Sequence, residues 1–269
     1  MSALLLHFAS EFKATLRNRN LLLMNYLLPL GFYLLVGGMM NQINPFFGEQ
    51  MIPAMVILTV LSGVIMGLPT PLVEAREAGV LRSFRVNGVR SGNLIAVPAL
   101  ANALHVCLVA LIICVSAPLI FHVPAPADWP MFILVFLVTV LTNCGLATLI
   151  GVLAPGGQMA VLWQQLLFVP AMVLSGLMVP LSIVPAWGRR LALLLPATYA
   201  MEAFQGLAYK RETLWPSSYG MLLLSIGGVL GFVLAAKLFT WDNKSDARRR
   251  VLPALLAVTP YFLGALLLV

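Results

Sequence analysis

Residues Glu74–Arg90 read EAREAGVLRSFRVNGVR. The stretch holds four of the sixteen basic residues (Arg76, Arg82, Arg85, Arg90) and two of the nine acids (Glu74, Glu77). The rest of the chain is mostly apolar: 61% of its 269 residues are hydrophobic and 9% charged. On each side of the stretch runs an apolar segment long enough to cross a bilayer, which takes about 20 residues. A charged patch between two such runs is a water-exposed platform joining two membrane spans.

Soluble domains are roughly half apolar and a quarter charged. This excess of apolar residues predicts an all-α polytopic membrane protein, with room for six or seven crossings and short loops. The net charge of +7 does not point to nucleic acid, because the basic residues cluster at the ends of apolar runs. That is the pattern of anchoring beside anionic headgroups. Cys107, Cys114 and Cys144 all fall inside apolar runs and read as small buried hydrophobes. The first twenty residues lack a signal-peptide layout, since their basic residues follow the short apolar run.

Outward from the platform, the chain divides into an interfacial helix (1–20), a six-span domain (21–242) and a C-terminal segment (243–269). In the first, Leu5, Phe8, Ala9, Phe12 and Leu16 share one helical face, with Glu11, Lys13, Arg17 and Arg19 largely elsewhere. Spans are predicted at Leu21–Met40, Met51–Val73, Asn93–Phe121, Pro130–Leu153, Met159–Val179 and Ser218–Thr240. Pro29 and Gly31 bend the first. The second carries Gly63 and Gly67 at close-packing spacing, either a dimer contact or a chance pair. Pro69 and Pro71 kink or end it before the platform. Trp129 is placed as an interfacial anchor. The segment 180–211 is cut by Pro180, Pro185, Arg189, Arg190 and Pro196 into pieces too short to cross. It predicts two short re-entrant helices capping the outer end, with Pro196, Tyr199 and Glu202 as cap residues. Residues 251–269 are just long enough for a seventh span, weakened by Pro253 and Pro260, with the alternative of an element buried against the others.

Twelve of the sixteen Lys and Arg residues fall in the N-terminal helix, the platform and the segment that closes and follows the sixth span. The other four are Arg189, Arg190, Lys210 and Arg211. The positive-inside rule then puts the N-terminus and the platform in the cytoplasm. An arginine at a span centre costs about 2.5–3.5 kcal/mol, which places Arg189 and Arg190 at the outer interface.

Polar residues within spans mark functional sites by default. Thr59, Ser62, Asn143, Gln164 and Gln165 are the pathway candidates; ordinary interhelical hydrogen bonding is the competing account of each. His105 reads first as a satisfied interhelical histidine, with a proton relay as the alternative. Within the platform, Val80, Leu81 and Phe84 form an apolar ridge bordered by Arg82 and Arg85, suited to a groove on a partner. The same sequence also fits a solvated, topology-anchoring loop.

Arg76-Glu77-Ala78-Gly79, followed by Leu81 and Arg82 after the second of about six spans, resembles the ABC transporter type-2 permeases. Their cytoplasmic stretch reads Arg-Glu-basic-Gly, then Leu, then a basic or polar run closing at Pro or Gly. Here Ala78 replaces the basic residue and Gly88 closes the run. The stretch LPATYAMEAFQGL, from Leu195 to Leu207, is similar to one these permeases carry before their last span, with Gln205 where Arg is common. The resemblance covers roughly residues 1–242.

The resemblance implies a six-span exporter bundle in the cell membrane, a homodimer of permeases, and an ATP-binding cassette subunit docked on each. It makes 74–92 the coupling element, with Glu74, Arg76, Glu77, Gly79, Leu81, Arg82, Phe84, Arg85 and Gly88 as its residues. The chain has no G-x-x-x-x-G-K-[ST] loop; its Lys244-Ser245 lacks the glycines. ATP and Mg are thus expected on the partner, no cofactor or metal on this chain, and no catalytic role. A drug or lipid-like substrate is expected from the Met-rich apolar spans. The alternatives are a polysaccharide or lipo-oligosaccharide exporter, an ATP-independent carrier, a membrane enzyme and a scaffold. Few deep acids disfavour a carrier, and three scattered histidines disfavour an enzyme.

Overall fold

A computed structural model describes residues 3–43, 47–241 and 252–268. They are mostly helical, with no strand among them. The basic linker with Lys244 and Arg248–Arg250 lies outside the described residues. Among the described residues, six helices are long and apolar enough to cross a membrane: Arg19–Met39, Phe47–Glu77, Ser91–Phe121, Trp129–Leu153, Gly157–Leu174 and Ser217–Leu238. They are the first to sixth spans below. Alternation puts the residue 78–90 turn, the 154–156 turn and the N-terminal helix (Ala3–Arg17) at one end, the platform end. The opposite end is the far end.

The second span is the axis of the bundle, 94% buried in its most apolar window against 22% for the first and fifth. Met51, Ile52, Met55, Val56 and Val64 are fully covered. It contains no charge from Met51 to Val73, and its buried hydroxyls are satisfied locally. Thr59 donates to the Met55 carbonyl at 2.8 Å and Ser62 to that of Thr59 at 3.2 Å. Backbone and side-chain polarity must be closed internally where no water reaches. The helical path does not stop at Pro69 and Pro71. A π-turn at Leu61–Ile65 and a short turn precede Pro69, which opens a new helical segment at its first position and needs no donor there.

Gly63 and Gly67 face inward. A methyl on Gly63 would lie 2.7 Å from Asn25 Oδ1 of the first span and from Val106 of the third. The pair is an intrachain packing device, which removes it as a dimer contact. The fourth and sixth spans come closest where Gly145 meets Gly228 and Gly231. A methyl on Gly228 would lie 2.9 Å from Thr142 Cα, and one on Gly231 2.8 Å from the Gly145 carbonyl carbon. Thr142 also donates to the Leu224 carbonyl at 2.7 Å, across the two helices. Small residues let membrane helices approach to backbone contact, where dispersion and such bonds hold them.

At the far end the helices Ala186–Ala192 and Pro196–Ala208 meet at 96°. Tyr199 donates to the Leu193 carbonyl at 2.7 Å, tying the bend. The buried Glu202 carboxylate accepts from the Leu214 and Trp215 amides at 2.9 and 3.4 Å, fixing the loop into the sixth span. Lys210 pairs with Asp128 at 3.0 Å and Arg211 with Glu49 at 3.5 Å. Two of the four basic residues that break the charge asymmetry are thus matched by local acids. Asp128 also caps the fourth span through the Met131 amide. That bond, then Lys210, holds its carboxyl below the usual range.

Among its described residues the C-terminal run forms no single α-helix of spanning length. Leu255–Ala257 is a 3-10 turn and Thr259–Leu267 a nine-residue helix. That helix is roughly 14 Å long, against a hydrocarbon core of about 30 Å. Pro260 opens the helix instead of interrupting a longer one. The segment runs back along the sixth span: Tyr261 packs on Gly227, Tyr199 on Gly264, and the Trp215 indole donates to the Leu268 carbonyl at 3.0 Å.

Gly231→Leu is expected to separate the fourth and sixth spans at their closest point. Overpacking of this kind costs about 1–3 kcal/mol. A lowered thermal midpoint of the detergent-purified chain checks it, with Ala236→Leu, on an exposed face of the same helix, leaving the midpoint unchanged.

Candidate functional site

The platform is two helices joined by a left-handed hinge. The helix that ends the second span runs Pro69–Glu77, and a separate platform helix runs Val80–Val86. Between them Gly79 has φ +74°, a conformation that costs a residue with a Cβ but not glycine. A methyl at Gly79 would meet nothing within 4 Å, so geometry of the backbone, not crowding, selects glycine. The platform helix ends on a second such residue. Gly88 has φ +73°, its amide bonds the Arg85 carbonyl at 3.1 Å, and the Val89 amide bonds that of Phe84 at 3.0 Å. This is a Schellman stop, with the orphan carbonyls of the last turn satisfied.

The two helices present different faces. Glu74, Glu77, Arg82, Arg85, Val86 and Asn87 are exposed. Leu81 is buried, and Phe84 is half-buried against the His7 ring of the N-terminal helix, centroids 5.8 Å apart. The apolar ridge predicted for a partner is therefore turned inward at two of its three positions. Val80 and Val86 are its outward apolar groups, and Val86 at 86% exposure is one the sequence pattern did not single out.

Arg76 also differs from its predicted place beside the partner. It is buried, and its guanidinium donates to the carbonyls of Gly151, Val152 and Ala154, the first two at 3.2 and 2.7 Å. These carbonyls belong to the last turn and C-cap of the fourth span, which have no partners within their own helix. A cation there also meets the negative end of the helix dipole. Nearby, Val73 is buried with Ala154 and Ala160, and Gln164 of the fifth span donates to Thr70 at 3.0 Å. The Glu77 carboxylate stands 3.1 Å from where a methyl on Gly156 would be. The exposed platform thus rests on a base locked to the fourth and fifth spans.

The pathway candidates do not form a single cluster of mutual bonds. Thr59 and Ser62 bond their own helix, Asn143 donates to the Thr139 carbonyl at 2.8 Å, Gln164 reaches Thr70, and Gln165 is half-buried on the fifth span. His105 is an interhelical histidine: Nδ1 lies 2.6 Å from the Tyr26 hydroxyl, and Phe12 stacks on its ring at 4.1 Å. The N-terminal helix therefore docks against the third span as well as carrying an amphipathic face. No sequence periodicity identifies a docking partner, so this contact was not legible beforehand. Pro196 and Tyr199 are buried in the far-end bend with Glu202.

The family model for the ABC-2 type transporter matches residues 3–209. The chain belongs to the ABC-2 type transporter family. It is a permease component of an ABC transporter, and members of this family normally pair with an ABC ATPase subunit. No curated protein and no solved structure matches it. The match takes in the N-terminal helix, the platform and five of the permease's six spans, and it ends where the far-end helices turn toward the sixth.

Arg76→Ala is expected to release the 151–154 carbonyls and loosen the turn that follows. Hydrogen bonds to a charged group contribute about 1.5–3 kcal/mol each. Amide hydrogen exchange at Gly156–Gln158 should rise about tenfold or more in the variant, and Arg76→Lys, which keeps the charge but not the planar fork, should fall between the two.

Proposed function

We propose that this permease is the membrane subunit of an ATP-driven exporter that moves a hydrophobic or amphipathic, drug-like or lipid-like molecule out of the cytoplasm. The platform end faces the cytoplasm of the cell membrane, as the Lys and Arg distribution supports. The exposed face of the platform helix, with Arg82, Arg85 and Glu77, docks on the ATPase subunit, which binds ATP and Mg. The observation that carries this reading is the Arg76 bond set. It ties the segment bearing that exposed face to the ends of the fourth and fifth spans, so force applied at the surface reaches the bundle. ATP binding would then bias two arrangements of the spans through contacts that differ between them.

The permease works as a homodimer in this reading. Gln165 supports that: it is half-buried on a fifth-span face whose neighbours Val161, Leu162, Leu166 and Val169 are exposed. An amide beside lipid-facing leucines is best satisfied by the same amide of a second copy.

The test is gentle detergent purification of the tagged chain from its host, followed by mass spectrometry. A near-stoichiometric ATPase lost on Glu77→Arg is the expected result. Retention of the ATPase by that variant would overturn the docking contact, and absence of any ATPase under several mild conditions would overturn the exporter reading.

A further inference from the structure

Four basic residues stand at the far end: Arg189, Arg190, Lys210 and Arg211. Lys210 is matched by Asp128 and Arg211 by Glu49. The side chains of Arg189 and Arg190 have no hydrogen-bond or ion-pair partner among the described residues. Two adjacent cations without a counterion repel each other, most strongly where apolar neighbours keep water away. Basic residues are also disfavoured on the side of a membrane protein away from the cytoplasm. An unmatched pair in that place calls for an anion.

Both arginines line a cavity of about 220 Å³ between the helix Ala186–Ala192 and the loop that enters the sixth span. Ala186, Arg189, Arg190 and Leu193 recur at i, i+3, i+4 and i+7, so both arginines leave the chain on the face turned to this space. The facing wall is Leu214, Trp215 and Leu268. Trp215 has no donor to spare, since its indole N–H bonds the Leu268 carbonyl at 3.0 Å. Among the described residues no acid lines the space. Glu212, two residues before Leu214, is exposed, lies outside the wall and pairs with neither arginine. The Glu202 carboxylate accepts from the Leu214 and Trp215 amides, which fixes that wall. The inventory is two unpaired guanidinium groups, no countercharge and an apolar lining.

The cavity sits beside apolar surface. Arg190 is exposed and Arg189 half-buried, and Ile183, Trp187 and Leu191 next to them are exposed by 70%, 66% and 47%. Tryptophan and arginine among exposed aliphatic side chains mark a segment lying at headgroup depth, with stems along the lipid tails and charged ends toward water. A small soluble anion would gain nothing from that surface. An anion that carries an acyl chain would.

We infer that this far-end cavity seats the phosphate of an anionic phospholipid from the adjoining leaflet, with the Arg189 and Arg190 guanidinium groups donating to its oxygens and Leu193, Leu214 and Leu268 lining the start of its chains. The planar fork of arginine matches a phosphate with two parallel N–H bonds, which a lysine ammonium does not. The lipid ties the helix Ala186–Ala192 to the loop before the sixth span, and so braces a cap held otherwise by the Tyr199 and Glu202 bonds. The inference holds whatever molecule the permease moves, and its test needs neither ATP nor the ATPase.

The experiment reconstitutes the full chain in nanodiscs of phosphatidylcholine alone and of phosphatidylcholine doped with phosphatidylglycerol, and follows amide hydrogen exchange at Arg189–Leu193 and at Leu214 and Trp215. The anionic lipid should slow exchange of these amides about threefold or more, because an occupant that bridges helix and loop must leave before either opens. Arg189→Gln combined with Arg190→Gln should abolish the slowing, and the corresponding pair of lysine substitutions should retain a smaller one. Should the glutamine pair fail to fold, Arg190→Gln alone, at an exposed position, should reduce the slowing. Equal exchange of the wild type in the two lipid mixtures, or an undiminished slowing in the glutamine variants, would overturn the inference. Soluble glycerol phosphate added to the phosphatidylcholine nanodiscs separates the sources: slowing by the lipid and not by the soluble anion is expected, and slowing by the soluble anion in place of the lipid would overturn the lipid assignment.

Discussion

The buried guanidinium of Arg76 constrains the whole platform end. A charge taken out of water is costly unless it is fully hydrogen-bonded, and breaking one partner of such a set leaves the cost without the compensation. Here the compensation is the last turn of the fourth span, whose buried carbonyls would otherwise be orphaned. Each side needs the other. The fourth span cannot end where it does without a donor, and the arginine cannot be buried without those acceptors. A lysine would reach one carbonyl with a point charge; the planar fork of arginine spans three.

That mutual dependence distinguishes an anchored part of the platform from an outer part. Glu74–Glu77 belongs to the anchored part by its helix, and Val80–Val86 to an outer part hinged on Gly79. The hinge residue has room around it, and the platform helix rests on Leu81 beneath it and on Phe84 against His7, among its contacts. The far end is built differently. Glu202 holds a loop with two amide bonds, Tyr199 ties the bend between the short helices, and two ion pairs close the surface. Surface ion pairs contribute little individually, about 0–1 kcal/mol, so their value here is in charge placement more than stability.

The architecture was legible in the sequence because it is a matter of length and polarity. Six apolar runs of spanning length, broken by turn residues and flanked by arginine, give six helices with little ambiguity. The platform was visible as a charge cluster in an apolar chain, and its glycines as the places where a helix changes direction. The orientation of individual side chains was not visible. Arg76 looks like a surface residue by composition, and only the carbonyls of residues 151–154, which a sequence does not show, turn it inward. Leu81 and Phe84 look like a ridge awaiting a partner, and the partner in part is the chain's own N-terminal helix. The last apolar run has the length of a span, and within it Pro260 sits at the start of a nine-residue helix that follows a 3-10 turn.

The uneven spending of hydrogen bonds connects these observations. The buried hydroxyls of Thr59, Thr139 and Thr142 and the amide of Asn143 are closed on neighbouring carbonyls, as a lipid environment requires. Asn25 Oδ1, Asn102 Oδ1, His105 Nε2, Gln205 Nε2 and the Tyr261 hydroxyl are among the buried atoms with no partner among the described residues, and a cavity walled in part by Asn25 and Asn102 borders Leu81 and Phe84, two residues that seat the platform helix. A movement of the platform helix about Gly79 would change the cavity wall directly, and a group filling the cavity would resist that movement. Coupling of this kind is reciprocal: whatever free energy an occupant gains from one position of the helix, the helix gains in that position from the occupant. The platform helix and the cavity wall at the platform end therefore share the same few side chains.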